Sequence, residues 1–289
     1  MKTAYIGTSR FAAIVLEALA GSPHPPELVI TRPPRPRGRG RRLEQTPVAE
    51  CAERLRLRLL APERLDDVAP ELADANPEVV CLCAYGALVR EPILSAYEIL
   101  NVHPSLLPRW RGAAPLERAI MAGDVQTGVS LMALVADLDA GPICATEATP
   151  IAADDDYSSL GERLAVIGSR LLLAALDAPR VYVPQSEDAV TYAEKITAAD
   201  RILDPSRRAA ELERLVRALH PHIGAKTPNG LGVSKAKVVR EEGVPPGELA
   251  MRDGHLLYGT SDDALELLRV KPPGGREMDA AAYVLGHAV

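Results

Sequence analysis

Three residues in one stretch of this chain carry side chains that can donate hydrogen bonds and move a proton. Asn101 and His103 stand two apart in LNVHPSLLP, at the end of an apolar run. In a strand both side chains leave on the same side, which sets an amide donor beside an imidazole. Asp139 follows 38 residues later, just past the apolar run Val129 to Leu134, where a parallel sheet would return it to the same edge. A carboxylate there would orient the imidazole and accept a proton. Spacing alone leaves two roles open, because Asn, His and Asp at strand ends also serve as caps and satisfied hydrogen-bond partners.

The elements that must position these residues are legible in the first half of the 289-residue chain. Apolar runs at Thr3 to Gly7, Leu28 to Thr31, Leu57 to Leu60, Val79 to Ala84, Ile99 to Val102 and Val129 to Leu134 read as strands. Amphipathic stretches at Ser9 to Ala20, Val48 to Arg54, Asp66 to Ala73 and Leu116 to Ala122 read as the helices between them. The alternation predicts an α/β fold with a doubly wound, mostly parallel sheet, whose ligands bind beyond the carboxyl ends of the strands. The turn Gly7-Thr8-Ser9 lacks the GxGxxG spacing of a dinucleotide site. Tyr5 and Phe11 belong to the core, and Trp110 packs beside the site.

A long helix, Ser158 to Leu176, closes this half; Pro179, Pro184 and a polar stretch then read as a linker. From Pro205 a helix, Ala209 to Leu219, precedes short strand-like runs separated by Gly and Pro turns, which predicts a small β-barrel. The expected boundaries are 1–178, 179–204 and 205–289.

Composition supports a folded chain, with 47% hydrophobic and 25% charged residues. No apolar stretch approaches the roughly 18 residues of a membrane helix, and the N-terminus has no signal-peptide pattern, so a cytoplasmic location with no membrane partner is expected. Cys51, Cys81, Cys83 and Cys144 form no paired CxxC motifs and read as reduced thiols. His24, His103, His220, His222, His255 and His287 show no ligand cluster, so no metal is expected.

The net charge of −6 conceals a strong asymmetry. Arg32 to Arg42, RPPRPRGRGRR, holds six arginines and no acid; Ser206 to Arg240 holds eight basic residues and two acids. Each segment carries +6, leaving −18 for the remainder. Concentrated positive patches on an acidic body suit a local polyanion contact, and the first tract, rich in Pro and Gly, is expected to be a loop.

Asn101, His103, the run Ser105 to Pro108, and Asp139 with Gly141 together resemble the signature of the formyltetrahydrofolate-dependent formyltransferases. The likeness extends along the chain through GTSRFAAIVLEAL, RPRGRGRRL, SLLPRWRGAAPLERAI, VTYAEKI and LELLRVKPPGGREM. The resemblance implies a Rossmann-like catalytic domain followed by an OB-like barrel, with Asn101, His103 and Asp139 as the catalytic trio. It implies transfer of formyl from 10-formyltetrahydrofolate to the α-amino group of methionyl-initiator tRNA, for translation initiation. Ser105, Leu106, Leu107 and Pro108 would line the folate site with Tyr85, Gly86, Ala87, Leu88, Val135 and Asp137. Arg37, Arg39, Arg41 and Arg42 would reach the acceptor stem. Arg207, Arg208, Arg214, Arg217, Lys226, Lys235, Lys237 and Arg240 would follow the tRNA backbone, although solvation of a helix face also accounts for the first four. A monomer with no obligate protein partner is expected.

One departure concerns the arginine tract, where Pro34 stands in place of the acid usual in the family's pattern and makes the tract stiffer and more basic. Two other readings share the motif. The acceptor of such an enzyme can be a glycinamide ribonucleotide or a nucleotide-linked amino sugar, and an enzyme scaffold can also serve as a non-catalytic RNA-binding protein. The extra C-terminal barrel argues against the ribonucleotide, the six arginines in the eleven-residue tract Arg32 to Arg42 argue against the sugar, and the intact trio argues against the non-catalytic reading.

Overall fold

The computed structural model describes residues 1–37, 42–241 and 243–287 and divides into two compact units. The first comprises Met1–Ala113, Gln126–Pro150 and Gly161–Ala193. In chain order its strands are β1 (Thr3–Gly7), β2 (Pro26–Ile30), β3 (Arg35–Arg37), β4 (Arg42–Glu44), β5 (Leu59–Leu60), β6 (Val79–Cys83), β7 (Ile99–His103), β8 (Arg111–Gly112), β9 (Gln126–Ala133), β10 (Ile143–Pro150) and β11 (Tyr192–Ala193). Its helices are α1 (Arg10–Ala20), α2 (Pro47–Arg54), α3 (Ala69–Ala75) and α4 (Ile93–Ala96). In the seven-stranded sheet the order is β10-β9-β7-β6-β1-β2-β5.

Every residue of β1, β6 and β7 is buried, as expected of strands covered on both faces. The mostly parallel pattern holds from β5 through β7. It ends at β9, which pairs antiparallel with β7, and at β10, antiparallel to β9. The sequence reading did not anticipate β10, because ICATEATP is only half buried and its alanines and threonines give no strong apolar alternation.

Local chemistry sets the sharp turn from β1 into α1. A Cβ on Gly7 would sit 2.8 Å from the Cys83 carbonyl oxygen and 2.9 Å from the Ala12 Cβ, so only glycine lets the helix start this close to β6. Ser9 caps α1 by accepting from the Ala12 N–H. Phe11, Val15, Leu16 and Leu19 then form its buried stripe.

The arginine-rich tract, expected to be a loop, has paired ends. Arg35 faces Glu44 and Pro36 faces Leu43 in the antiparallel β3–β4 pair. Opposite charges across the pair offset the weak strand tendency of Pro and Arg. Part of the stretch read as linker also packs with the first unit: Val183 bridges Ile143, and β11 pairs with β8.

The second unit comprises Ala114–Val125, Ile151–Leu160 and Glu194–Val289. It therefore takes in α5 (Pro115–Ala122) and the first turn of α6 (Tyr157–Asp177). The remaining elements are α7 (Ala209–Leu219), β12 (Ala225–Lys226), β13 (Gly232–Val239), β14 (Leu249–Arg252), β15 (His255–Gly259), β16 (Ala264–Lys271), β17 (Met278–Asp279) and α8 (Ala280–Gly286). Strands run in the order β12-β13-β16-β15-β14, with β17 on β16, and every neighbouring pair is antiparallel.

Leu212, Leu215, Val216 and Leu219 of α7 share one apolar core with Val233, Leu256, Tyr258, Leu265, Leu267 and Val270. Arg208, at the N-cap of α7, makes no side-chain cap. Asp262 supplies it instead, accepting from the Ala209 N–H and from Arg208 Nε, both at 2.9 Å. Those hydrogen bonds, the Ala209 N–H first, hold the Asp262 carboxyl well below the usual carboxylate range.

Candidate active site

Asn101 and His103 lie on one side of β7, 7% and 4% exposed. Asp139 reaches them by a route the sequence reading had wrong in direction. It expected a parallel return to the carboxyl edge, but β9 runs antiparallel and pairs its last residue, Ala133, with Leu100. The loop after β9 then doubles back and carries Asp139 to Asn101 and His103. Close packing guides that reversal, since a Cβ on Gly141 would come within 1.8 Å of the Ala133 carbonyl oxygen.

Asp139 Oδ1 accepts from Asn101 Nδ2 at 3.4 Å, and Oδ2 accepts from the Gly112 N–H at 2.8 Å. His103 Nδ1 stands 3.7 Å from Oδ2. Its Nε2 lies 2.9 Å from the Trp110 carbonyl oxygen; a carbonyl only accepts, so Nε2 carries a hydrogen there. The Nδ1 edge is therefore the one turned towards the carboxylate. The Asp139 backbone is left-handed, with φ 47°, a conformation that aspartate tolerates better than most residues.

The turn after β7 is clamped from β9. Ser130, opposite His103 in the register, donates to the Ser105 carbonyl at 2.8 Å and accepts from the Leu107 N–H at 3.0 Å. Ser105, fully buried, donates to the Arg109 carbonyl at 2.7 Å. Leu106 packs against Gly128, where a Cβ would approach Leu106 Cδ2 to 2.5 Å. Leu107 is buried and Pro108 half-buried.

The loop after β6 divides. Tyr85 is buried in the apolar cluster with Ile6, Ile30 and Ile93, beneath the Arg32 guanidinium at 5.8 Å, and its carbonyl accepts from Thr8 Oγ1 at 2.9 Å. Gly86, Ala87 and Leu88 are exposed, as are Val135, Asp137 and Leu138 in the loop after β9.

Of the basic residues singled out, Lys235, Lys237 and Arg240 are exposed. Lys237 pairs with Glu266 at 2.8 Å. Arg207 pairs with Glu211, and Arg208 with Asp262. Arg217 binds Glu213 and the Asp155 carbonyl, and Arg214 donates to the Met121 carbonyl at 3.3 Å. Those four arginines are engaged within the second unit. Lys226 is half-buried, and its N–H donates to the Arg201 carbonyl at 2.9 Å. Arg39 and Arg41 lie outside the described residues, as do the side chains of Arg37 and Arg42.

Ser130, Gly112 and the linker residues Gln185 and Thr191 support the site, and the sequence reading passed over all four. Thr191 accepts from the Trp110 N–H and Gln185 from Arg111 Nε. Only Ser130 left a trace, as a polar residue inside the apolar run of β9. Cys81 and Cys83 are buried, and burial pushes the Cys81 thiol up to about 12, so they act as small apolar residues. Among the described residues no group of three or more His, Cys, Asp or Glu could hold a metal ion, and no helix is long and apolar enough to cross a membrane.

An amide donor beside a His–Asp pair suits stabilisation of a developing oxyanion together with movement of a proton, which is what direct transfer of an acyl group between two bound substrates needs. The family described as Formyl transferase matches residues 1–176, and Formyl transferase, C-terminal domain, matches residues 195–288; the chain belongs to this family. It is 43% identical over 296 residues to the methionyl-tRNA formyltransferase of Halorhodospira halophila, covering 98% of this chain and 95% of that one. It is 40% identical to the enzyme so named from Symbiobacterium thermophilum, covering 100% and 93%. Among solved structures, HypX from Aquifex aeolicus superposes with a TM-score of 0.70 at 18% identity, covering all of this chain and 48% of that one. Phosphoribosylglycinamide formyltransferase from Bacillus halodurans gives 0.51 at 28% identity, covering 61% and 93%.

Proposed function

We propose that the chain transfers the formyl group of 10-formyltetrahydrofolate to the α-amino group of methionyl-initiator tRNA. The convergence of Asn101, His103 and Asp139 around one face of β7 carries the chemistry. The acceptor is supported by relatives named methionyl-tRNA formyltransferase that match over 98% or more of this chain, including its second domain.

Attack by an amine on a formyl carbon puts negative charge on the formyl oxygen, and the amine must lose a proton. Asn101 contributes a neutral N–H donor to that oxygen. His103, with Nε2 committed to a backbone carbonyl, adds positive charge when Nδ1 is protonated. Asp139 receives the amine's proton, directly or through a water, while the Gly112 N–H holds Oδ2 in place; as the oxyanion collapses, the bond from the formyl carbon to N10 of the folate breaks and N10 takes that proton, releasing tetrahydrofolate and the formylated amine and returning Asp139 to its carboxylate form. The site excludes most water before any substrate arrives, so these groups need little reorganisation.

10-Formyltetrahydrofolate supplies the group transferred. The faces of its ring system pack on exposed Leu88 and Val135, with Gly86, Ala87, Leu106, Leu107 and Pro108 contributing shape, while its polar edge needs hydrogen-bond partners. Asp137 offers a carboxylate to ring nitrogens; Tyr85 and Ser105, both buried, brace the loops from beneath. For the tRNA, Lys235 and Lys237 with Arg240 present exposed charge, and the arginines of the tract Arg37 to Arg42 with Arg207, Arg214 and Lys226 add positive charge for the phosphate backbone. In this reading residues 1–178 are the catalytic domain, 179–204 connect, and 205–289 form an OB-like tRNA-binding domain. Free thiols at Cys51, Cys81, Cys83 and Cys144 suit a reducing, cytoplasmic setting.

The test is formyl transfer from 10-formyltetrahydrofolate to charged initiator tRNA, with charged elongator tRNA, glycinamide ribonucleotide and a nucleotide-linked amino sugar in parallel. Transfer to the initiator tRNA alone supports the reading. Turnover of a small amine without tRNA would replace the acceptor, and salt-sensitive tRNA binding without turnover would remove the enzyme.

A further inference from the structure

We infer that Gln185, in a stretch whose composition marks it as a connector, is a positioning residue for the transfer, acting through Asp139. The inference rests on Asp139 being the proton acceptor. Gln185 Nε2 donates to the carbonyls of Asp139 and Gly141, both at 2.8 Å, and Oε1 accepts from Arg111 Nε at 3.0 Å. The amide has one workable orientation, because turned over it would press oxygen against two carbonyl oxygens and N–H against N–H.

The two carbonyls lie on either side of Ala140. One NH2 group therefore staples the turn that keeps Asp139 at φ 47°. The side chain of the same residue is held by the Gly112 N–H at 2.8 Å. Main chain and carboxylate of Asp139 are thus gripped by the two adjacent residues of β8, Arg111 through Gln185 and Gly112 directly.

Behind this grip, β8 hangs on the connector. Arg111 N donates to the Thr191 carbonyl at 2.9 Å and Ala113 N to the Ala193 carbonyl at 2.8 Å. A Cβ on Gly112 would meet the Ala193 carbonyl oxygen at 2.8 Å, so the two segments touch closely. Arg111 itself is 4% exposed, and its Nη2 has no hydrogen-bond partner among the described residues. Among the described residues its carboxylate partner is Glu187 at 3.7 Å, whose side chain is 81% exposed. A buried guanidinium with so little other compensation makes Gln185 its main anchor.

Without Gln185 the Gly112 bond remains, so Asp139 should swing about its side chain while the fold and the substrate surfaces persist. The signature is a fall in kcat at nearly constant KM. Two variants separate positioning from stability. Gln185→Ala removes these bonds together with the weak one from Nε2 to Met132 Sδ, whereas Gln185→Glu keeps an acceptor for Arg111 but faces the Asp139 and Gly141 carbonyls with oxygen.

The experiment measures kcat, KM for both substrates, and Tm for wild type, Gln185→Ala, Gln185→Glu, Asp139→Asn and the Gln185→Ala, Asp139→Asn double variant. The expected result is a 10- to 100-fold loss of kcat in both Gln185 variants, with each KM within about threefold of wild type. Gln185→Glu should retain more of the Tm, and the double variant should match Asp139→Asn within about twofold. Wild-type kcat in Gln185→Glu, a raised KM at unchanged kcat, or an equal further loss in the Asp139→Asn background would each overturn the role. Near-normal turnover by Asp139→Asn would instead remove the site reading beneath it, a failure distinguishable because the first variant to look wrong is then Asp139→Asn.

Discussion

The turn that carries Asp139 and the strand that carries Lys235 and Lys237 are held in opposite ways. Asp139 keeps 12% of its side chain exposed, and its two carboxylate oxygens and its carbonyl all accept hydrogen bonds. Lys237 is 55% exposed beside a single carboxylate, and Lys235 is exposed on the same strand. Where water is thin, a fixed dipole acts strongly and must be aimed before the substrate arrives. Where water is plentiful, a cation gains little from being fixed, and several loosely held charges work by number. Removing a group should therefore show in kcat at the first region and in KM and salt dependence at the second.

Asn101→Ala tests the first half most severely. Losing one donor to a developing oxyanion costs about 100- to 1,000-fold in rate, while the lost ground-state contact is one 3.4 Å hydrogen bond. Single-turnover formyl transfer should collapse with folate binding and Tm close to wild type; a loss confined to KM would blur the distinction between the regions. Gly141→Ala should come next. Its Cβ would press within 1.8 Å of the Ala133 carbonyl oxygen, and relief of that overlap displaces Asp139 from His103. Overpacking of this kind costs on the order of 1–3 kcal/mol, readable as a lower urea midpoint, with kcat down about tenfold or more. The paired substitution Lys235→Ala, Lys237→Ala should do something different in kind: KM for tRNA up about 3- to 10-fold, kcat unchanged, and a salt slope shallower by about 1 to 2.

Asn101 and His103 were legible because a strand's period of two is strict and both residues stand in an apolar run. The bounds of β1 were legible from its unbroken apolar run ended by the Gly7 turn, and those of α7 from apolar residues recurring at helical spacing up to Leu219, with Pro221 shortly after. Asp139 was placed with the right partners by the wrong route. Chain direction depends on sheet order, and the runs of β7 and β9 look alike whether parallel or antiparallel. β10 went unseen because Ala and Thr on a half-exposed strand produce little pattern. Gln185 could not be found at all, since its two short donor bonds go to backbone carbonyls, and a carbonyl has no residue type. The basic face was read from charge counts, which cannot tell an arginine committed to Glu213 from a lysine left in solvent.

The smallest effect belongs to an ion pair in the second unit, and it separates structural from chemical use of a carboxylate. Asp200 accepts from Arg118 Nη1 at 3.0 Å and from Thr197 through both N–H and Oγ1. Burial pushes its pKa up, but the Thr197 and Arg118 bonds outweigh burial and hold it at about 2, below its ordinary 3.8. Since the folded value is the lower one, the stabilisation is complete above about pH 4 and is lost as pH falls from about 4 towards 2. Asp200→Asn should therefore lower stability at pH 7 by on the order of 1 kcal/mol, after allowance for its 23% exposure. The gap to wild type should close as the urea titration is moved from pH 7 to pH 2.5. Formyl transfer at pH 7 should stay within about twofold of wild type, because Asp200 secures α5 to the segment before α7, whereas Asp139 must meet a proton. A large loss of kcat in Asp200→Asn, with the fold intact, would show that the second unit does more than hold and present charge.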